Sequence, residues 1–505
     1  MRRLSASVKV GLLVIGSRLL GLLRDSLLAK YLGSGWVSDA FFTAFRIPNM
    51  LRDLLGEGAL SSIVVARLGK MEGEEPARVK SFVQKLIAFW GCLLVLLTLI
   101  GIGFAPWIVE VLAQGFKDNP EQFQLTKDLT RMIFPYMTLV GLCALSMGIL
   151  HHKKVFGWAS SASIFFNLSC ICIMVVYAEV WKMTDPLEIV FVIAGSIVVG
   201  GAAQWMCLWP SLWKTGLSLK PVLDLKDSEV LQVVRMLGPA IISVAAVQIN
   251  VAVNVAMATT LEEGSATSIN YAFRIMQLPV GIVGVSIATV LLPKLSQHVA
   301  NQDKGAFSKD FSDALKKVTF LTFPAIFGLL LLGPSLIEAL YERGKFDAKA
   351  TNMTWYALQG YLLGIFPYVL NKNLIQGYFA NSDTKTPVII SFCSILVNFS
   401  LNYTLVYGYD LGVRGLTFGT SCVLLVNTLL LYLGLNLKHG LMIKWKHVLG
   451  VWTKQIFCAL MMLVFIYKLV KYDFHYVEVK VLLCTGVGGL VYFGWDYILK
   501  KLRKS

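Results

Sequence analysis

Apolar stretches of 20 or more residues recur from one end of this 505-residue chain to the other. Each is long enough to cross about 30 Å of hydrocarbon as a helix. The chain is 56% hydrophobic and 15% charged, against roughly 45–50% and 25% in a soluble domain. The fold class is therefore an all-α polytopic membrane protein, with no room for a sizeable soluble domain.

With charge and turn residues as punctuation, the sequence predicts fourteen transmembrane spans, from Val10–Leu32 and Ala40–Ala66 to Val448–Val470 and Val477–Leu499. The turns at Arg67–Lys85, His151–Lys154, Lys214–Lys226, Lys294–Lys317, Asn381–Lys385 and Lys438–Lys446, with the two termini, hold more than half of the 46 Lys and Arg. By the positive-inside rule both termini then lie in the cytoplasm, and an even count agrees. The first apolar run is broken by Arg18 and lacks a cleavage site, so it reads as an uncleaved helix. The net charge of +16 lies in these turns. No arginine-rich tail or aromatic-interleaved groove accompanies it, which excludes nucleic acid as a partner. Nine scattered cysteines show no C-x-x-C pair.

Ala44-Phe45-Arg46-Ile47 recurs as Ala272-Phe273-Arg274-Ile275. A weaker echo links Gly148 to Gly377 and Asn167-Leu168-Ser169 to Asn398-Phe399-Ser400. Two echoes at similar spacing, in equivalent spans, point to duplication. The period holds six spans, so the expected layout is two six-helix lobes of parallel topology, an N-lobe (1–226) and a C-lobe (227–440), around a central cationic cavity. The residues 441–505 form two extra C-terminal helices.

The first two spans carry arginines in their middles. A charge centred in hydrocarbon costs roughly 2.5–3.5 kcal/mol on the lenient insertion scale, so it needs a wet chamber, a counter-charge or a substrate. At 1.5 Å per residue, Arg18 and Arg52 lie roughly 20 Å from the outer ends of their spans, and Arg24, Arg46 and Arg274 roughly 9–12 Å. A guanidinium offers a planar fork of donors suited to phosphate, and diphosphate is the natural guest. Arg18, Arg24, Arg52 and Arg274 are the candidate substrate-binding residues, because cations outnumber nearby acids. Asp25 stands beside Arg24, and Asp39, Arg46 and Asp53 form an i, i+7, i+14 stripe with Glu57 one turn beyond. Arg46 fits neutralisation within that stripe. Asp25, Asp39, Asp53 and Glu57 read as gate or counter-charge residues. Pro48 can kink the second span. Gln248, Asn250 and Asn254 suit either an ion or ordinary interhelical hydrogen bonds, and Lys372 is a further chamber candidate. No Walker A, zincin, nucleophile-elbow or Asp-rich diphosphate-metal motif occurs. No cofactor is expected, and a metal site and the coupling ion are unassigned. Energy would come from the membrane potential, an ion gradient or the substrate gradient.

Ser17-Arg18-Leu19-Leu20-Gly21-Leu22-Leu23-Arg24-Asp25 and Ser38-Asp39-Ala40-Phe41-Phe42-Thr43-Ala44-Phe45-Arg46-Ile47-Pro48-Asn49-Met50-Leu51-Arg52, continuing to Gly56-Glu57-Gly58-Ala59, resemble the MurJ (MviN) lipid II flippase family. Looser matches continue through Phe134-Pro135-Tyr136, Gly238-Pro239-Ala240, Gly344-Lys345-Phe346 and Asp383-Thr384-Lys385-Thr386-Pro387. The resemblance implies the fourteen-helix multidrug/oligosaccharidyl-lipid/polysaccharide exporter fold in the bacterial cytoplasmic (inner) membrane. Its implied task is to move undecaprenyl-diphosphate-linked disaccharide-pentapeptide to the outer leaflet for cell-wall synthesis. The family's cavity arginines fall on Arg18, Arg24, Arg52 and Arg274 and its acids on Asp25, Asp39 and Glu57. Phe273 departs from the acid that often precedes the last arginine. The partners implied are lipid II, membrane lipids and other cell-wall synthesis proteins, and the last two helices form a groove for the lipid tail. The rival readings are a multidrug antiporter, which needs chamber acids, and a lipid-diphosphate-processing membrane enzyme, which needs clustered catalytic carboxylates or histidines.

Overall fold

The computed structural model describes residues 6–55, 59–216, 220–224, 226–443, 445–472, 474 and 476–502. The described residues are helical throughout, without a strand, and eleven segments are long and apolar enough to cross a membrane. Two compact units emerge from the packing: Met1–Ala266 with Arg343–Phe346, and Thr267–Glu342 with Asp347–Ser505.

The first unit contains α1 (Ala6–Leu32), α2 (Trp36–Leu55), α3 (Ala59–Lys70), α4 (Pro76–Leu112), α5 (Pro120–Ile133), α6 (Pro135–His152), α7 (Phe156–Val175), α8 (Pro186–Met206), α9 (Trp209–Lys214) and α10 (Ser228–Ala258). Proline opens α4, α5, α6 and α8 at the first turn, where its missing N–H would have had no partner anyway. Side chains of Asn119, Asp185 and Asp227 cap α5, α8 and α10. α1 packs on α7, α2 on α5, α3 on α6, and α10 on α2, α3 and α4. An apolar core joins Leu28, Phe41, Tyr136, Phe166 and Ile193.

The second unit contains α11 (Ser265–Pro279), α12 (Val285–Ala300), α13 (Lys304–Tyr341), α14 (Ala348–Ala380), α15 (Lys385–Tyr403), α16 (Gly412–His439), α17 (Trp445–Val470) and α18 (Val477–Leu502). Between α11 and α12 the helix widens to a π-type turn at Val280–Gly284, directly after Pro279 removes a backbone donor. Its tightest helix pair is α14 against α16. A Cβ on Gly360 would lie 2.0 Å from Thr417 Oγ1, so only glycine fits there. Ser421 Oγ donates to the Gly360 carbonyl at 2.7 Å and Thr428 Oγ1 lies 2.8 Å from Asn371 Oδ1, hydrogen bonds that hold helices together where apolar contact adds little.

Large apolar side chains point outward from both units, among them Leu19, Trp107, Leu396 and Leu490. Such a surface is unusual on a soluble monomer and suits hydrocarbon as the solvent. The helices α1, α2, α3 and α14 are not among the eleven apolar segments. In α1 and α2 the reason is charge: Arg18, Arg24, Asp25 and Lys30 in one, Asp39, Arg46, Arg52 and Asp53 in the other.

Candidate anion-binding site

The ionisable groups inside α1 and α2 resolve into pairs of sequence neighbours. Arg24 Nη2 and Nε donate to Asp25 Oδ1 at 2.7 and 3.2 Å, with side chains only 11% and 8% exposed. Arg52 repeats the arrangement with Asp53 Oδ1 at 2.8 and 3.2 Å and is more open, at 22% and 37%. In each dyad both contacts fall on one carboxylate oxygen. Phosphate oxygens recognise the same donors, so an anionic ligand and the aspartate are alternatives at each guanidinium.

Aromatic groups set the walls around Arg24. Its Cζ lies 5.4 Å from the centroid of the Phe166 ring, a cation–π contact. Phe166 in turn packs on Tyr136 at 5.5 Å, and Tyr136 on Phe45 at 6.1 Å. Buried Asn167 donates to the Ser17 carbonyl at 3.2 Å and to Ser163 at 3.0 Å, tying α7 to α1 one residue before Arg18. Arg18 itself is exposed on α1. None of these aromatic supports was singled out from sequence, because an isolated Phe in an apolar run carries no signal of what it faces.

Gln248 of α10 donates Nε2–H to Asp53 Oδ2 at 3.3 Å. Of the two readings the sequence left open for Gln248, the structure shows an interhelical hydrogen bond. Arg46 is half-buried on α2, seven residues from both Asp39 and Asp53. Asp39 is 2% exposed, and its Oδ2 accepts the Gly264 N–H at 2.7 Å. Beside it, Trp36 N–H donates to Glu263 Oε1 at 2.8 Å and Ser34 Oγ to the Gly264 carbonyl at 3.2 Å. Asp39 therefore fastens the start of α2 to the turn after α10. Glu57 lies outside the described residues.

The same end of the unit holds a second fastening. Lys345 donates its backbone N–H to the Lys30 carbonyl at 2.9 Å and its Nζ to the Thr184 carbonyl. Gly33 and Gly344 face this contact at φ +70° and +62°, and a Cβ on either would strike the other segment's carbonyl. Burial pushes the Lys345 ammonium below its ordinary pKa.

In the second unit Arg274 is exposed on α11, between buried Ala272 and Ile275. The neighbouring Phe273 ring packs on Tyr361 at 5.8 Å. Lys372 is half-buried on α14, 5.4 Å from the Tyr368 ring centroid. Among the described residues no three His, Cys, Asp or Glu side chains gather as metal ligands.

Comparison with known proteins matches residues 28–487 to the family model described as lipid II flippase MurJ. A lipid II flippase MurJ from Burkholderia cenocepacia is 32% identical over 430 residues, covering 84% of this chain and 82% of that protein. A probable lipid II flippase MurJ from Vibrio cholerae is 31% identical over 446 residues, covering 86% and 83%. A solved structure of lipid II flippase MurJ in an inward closed conformation superposes with a TM-score of 0.81 at 25% identity, covering 99% of this chain and 100% of that one. An inward-facing multidrug MATE transporter shares the fold at a TM-score of 0.68 and 15% identity, covering 83% and 93%.

Proposed function

The chain belongs to the lipid II flippase MurJ family, and from that premise we propose that it moves lipid II from the cytoplasmic to the outer leaflet of the bacterial inner membrane for cell-wall synthesis. It is a multi-pass membrane transporter and not an enzyme. The observation that carries the reading is the pair of Arg–Asp dyads in α1 and α2, two forked anion receptors set among apolar residues. Arg24 and Arg52, with Arg274 from the second unit, take the diphosphate, and Arg18 guides its entry. Asp25 and Asp53 are the counter-charges that the diphosphate replaces. Asp39, with Glu57 and Arg46, serves gating.

The working cycle is alternating access by an N-lobe (1–226) and a C-lobe (227–440), with 441–505 guiding the polyprenyl tail in hydrocarbon. Adding α1, the α2–α3 pair and α14 to the eleven apolar segments supports the fourteen-span layout with both termini in the cytoplasm. Membrane lipids and other cell-wall synthesis proteins are the further partners. A cytoplasm-negative potential of 100 mV drives an anion outward with a gain of about 2.3 kcal/mol per charge that crosses the full field, so the potential alone is a usable bias.

Reconstituted vesicles loaded with labelled lipid II test this directly. The expected result is protein-dependent appearance of label on the opposite leaflet, lost in Arg52→Ala. Chemical conversion of the lipid would indicate an enzyme, drug-dependent ion flux an antiporter, and either would overturn the proposal.

A further inference from the structure

The carboxylate of Asp53 is divided between two helices. Its Oδ1 takes both donors of Arg52, on its own helix α2, while its Oδ2 takes the amide of Gln248, on α10 and 195 positions away in sequence. All three residues belong to the first unit. We propose that Gln248 is a positioning residue of the diphosphate grip, acting through Asp53 to keep Arg52 exchangeable. The proposal rests on the flippase reading above.

A carboxylate free to turn can set both oxygens against a guanidinium, the fork-to-fork geometry that is the strongest form of this pair. Gln248 draws one oxygen away, leaving a pair made through a single oxygen. That weaker internal anion yields more readily to a diphosphate, which brings more oxygens and more charge. Gln248 also matters after the exchange. Once the ligand occupies Arg52, Asp53 still has a donor, so the displaced carboxylate is not stranded in a partly buried place. Both effects lower the cost of replacing carboxylate by phosphate at Arg52, and neither requires Gln248 to touch the substrate.

The test is a double-mutant cycle on the full chain in vesicles, with initial transport rate measured over graded lipid II content. Gln248→Met removes the amide donor while keeping length and volume. It is expected to raise the apparent KM about three- to tenfold, the effect of one hydrogen bond of ordinary net strength. The maximal rate should stay within about twofold. In an Asp53→Ala background the same substitution should change KM by less than about twofold, because the carboxylate it acts through is gone. Gln248→His, which returns an N–H at similar reach, should restore KM. A KM unchanged in Gln248→Met, an equal shift in both backgrounds, or a fall in maximal rate alone would each overturn the proposal. If the Met variant fails to accumulate, Gln248→Leu read in the same cycle decides. A wild-type chain that moves no lipid II overturns the flippase reading as well, whereas active wild type matched by Gln248→Met overturns this inference alone.

Discussion

The residues Ala-Phe-Arg-Ile stand at 44–47 in α2 and at 272–275 in α11, yet the two helices treat charge in opposite ways. Along α2 the motif is flanked by Asp39, Arg52 and Asp53, all within one helix. At the same spacing from the second motif stand Thr267, Val280 and Gly281. Thr267 and Val280 are buried, and the Val280–Gly281 position falls in the widened turn after Pro279. Ionic contacts described in the second unit include pairs near helix ends, as in Asp383 with His439 and Lys438, and the pair Lys454–Asp496 between α17 and α18. The second copy of the four-residue motif has the arginine without acids at those positions. The two mid-helix Arg–Asp dyads both lie in the first unit.

The largest effect should come from Arg24→Ala. It removes one proposed receptor and takes from buried Asp25 its guanidinium partner, and breaking a buried pair costs about 3–5 kcal/mol. Complementation of a flippase-deficient strain should fail and the folded amount should fall. The double variant Arg24→Ala/Asp25→Ala should recover abundance on an immunoblot but not transport. Transport by that double variant would break the assignment of receptors to the first unit.

Arg274→Ala comes next and sharpens the contrast. Losing one charge-assisted contact at this exposed side chain should raise the apparent KM for lipid II by about tenfold, with folded protein unchanged. Abolished transport in Arg274→Ala would show that both copies of the motif are equal partners.

A third measurement addresses the helix-end charges of the second unit. Burial works to raise the Asp383 pKa, but the Thr386 hydroxyl at 2.7 Å, the Thr386 N–H at 3.0 Å and His439 at 3.2 Å outweigh it and hold the carboxyl down to about 2, from 3.8. A carboxyl depressed by folding stabilises the native state above its unfolded pKa, and that contribution fades as pH falls from about 4 to 2. A shift of this size is worth about 2 kcal/mol. Asp383→Asn should lower the melting temperature of the detergent-solubilised protein at pH 7 and flatten its fall below pH 4. Initial transport rate at pH 7 should be untouched where the protein is folded.

The smallest effect belongs to Lys117 and Glu110, 3.0 Å apart and about half exposed. An open pair of this kind contributes at most about 1 kcal/mol, so Lys117→Met should leave both melting temperature and transport at wild-type values. A clear loss would mean that the exposed charges of the first unit matter as much as the embedded ones.

Much of this architecture was legible in the sequence because hydrocarbon demands long apolar runs, and those run lengths are visible directly. Breaks were harder to see. The apolar stretch Leu129–Leu150 begins inside α5, a more polar helix that ends at Ile133, just before Phe134 and Pro135. For the candidate site, the embedded charges were plain because each one costs so much in an apolar helix. Their pairing was less so. The i, i+7 stripe places Asp39 and Asp53 on the face of Arg46, but it did not reveal that Asp39 also holds the Gly264 N–H or that Asp53 also holds its immediate neighbour Arg52. Spacing along a helix ranks faces, but it does not foresee a backbone donor arriving from residue 264 or an amide from residue 248. Phe166 was illegible as a site residue, and Gln248 legible only as a polar candidate without a partner named, because their meaning depends on which helix lies opposite.

The adjacency of each arginine to its aspartate has a consequence for biogenesis. A side chain that finds its counter-ion at the next residue needs no other helix to be neutralised. As α1 and α2 leave the insertion machinery, Arg24 and Arg52 can enter the bilayer as nearly neutral dipoles before the rest of the chain has been synthesised. A cation whose partner lay far along the sequence would have to wait in hydrocarbon for it.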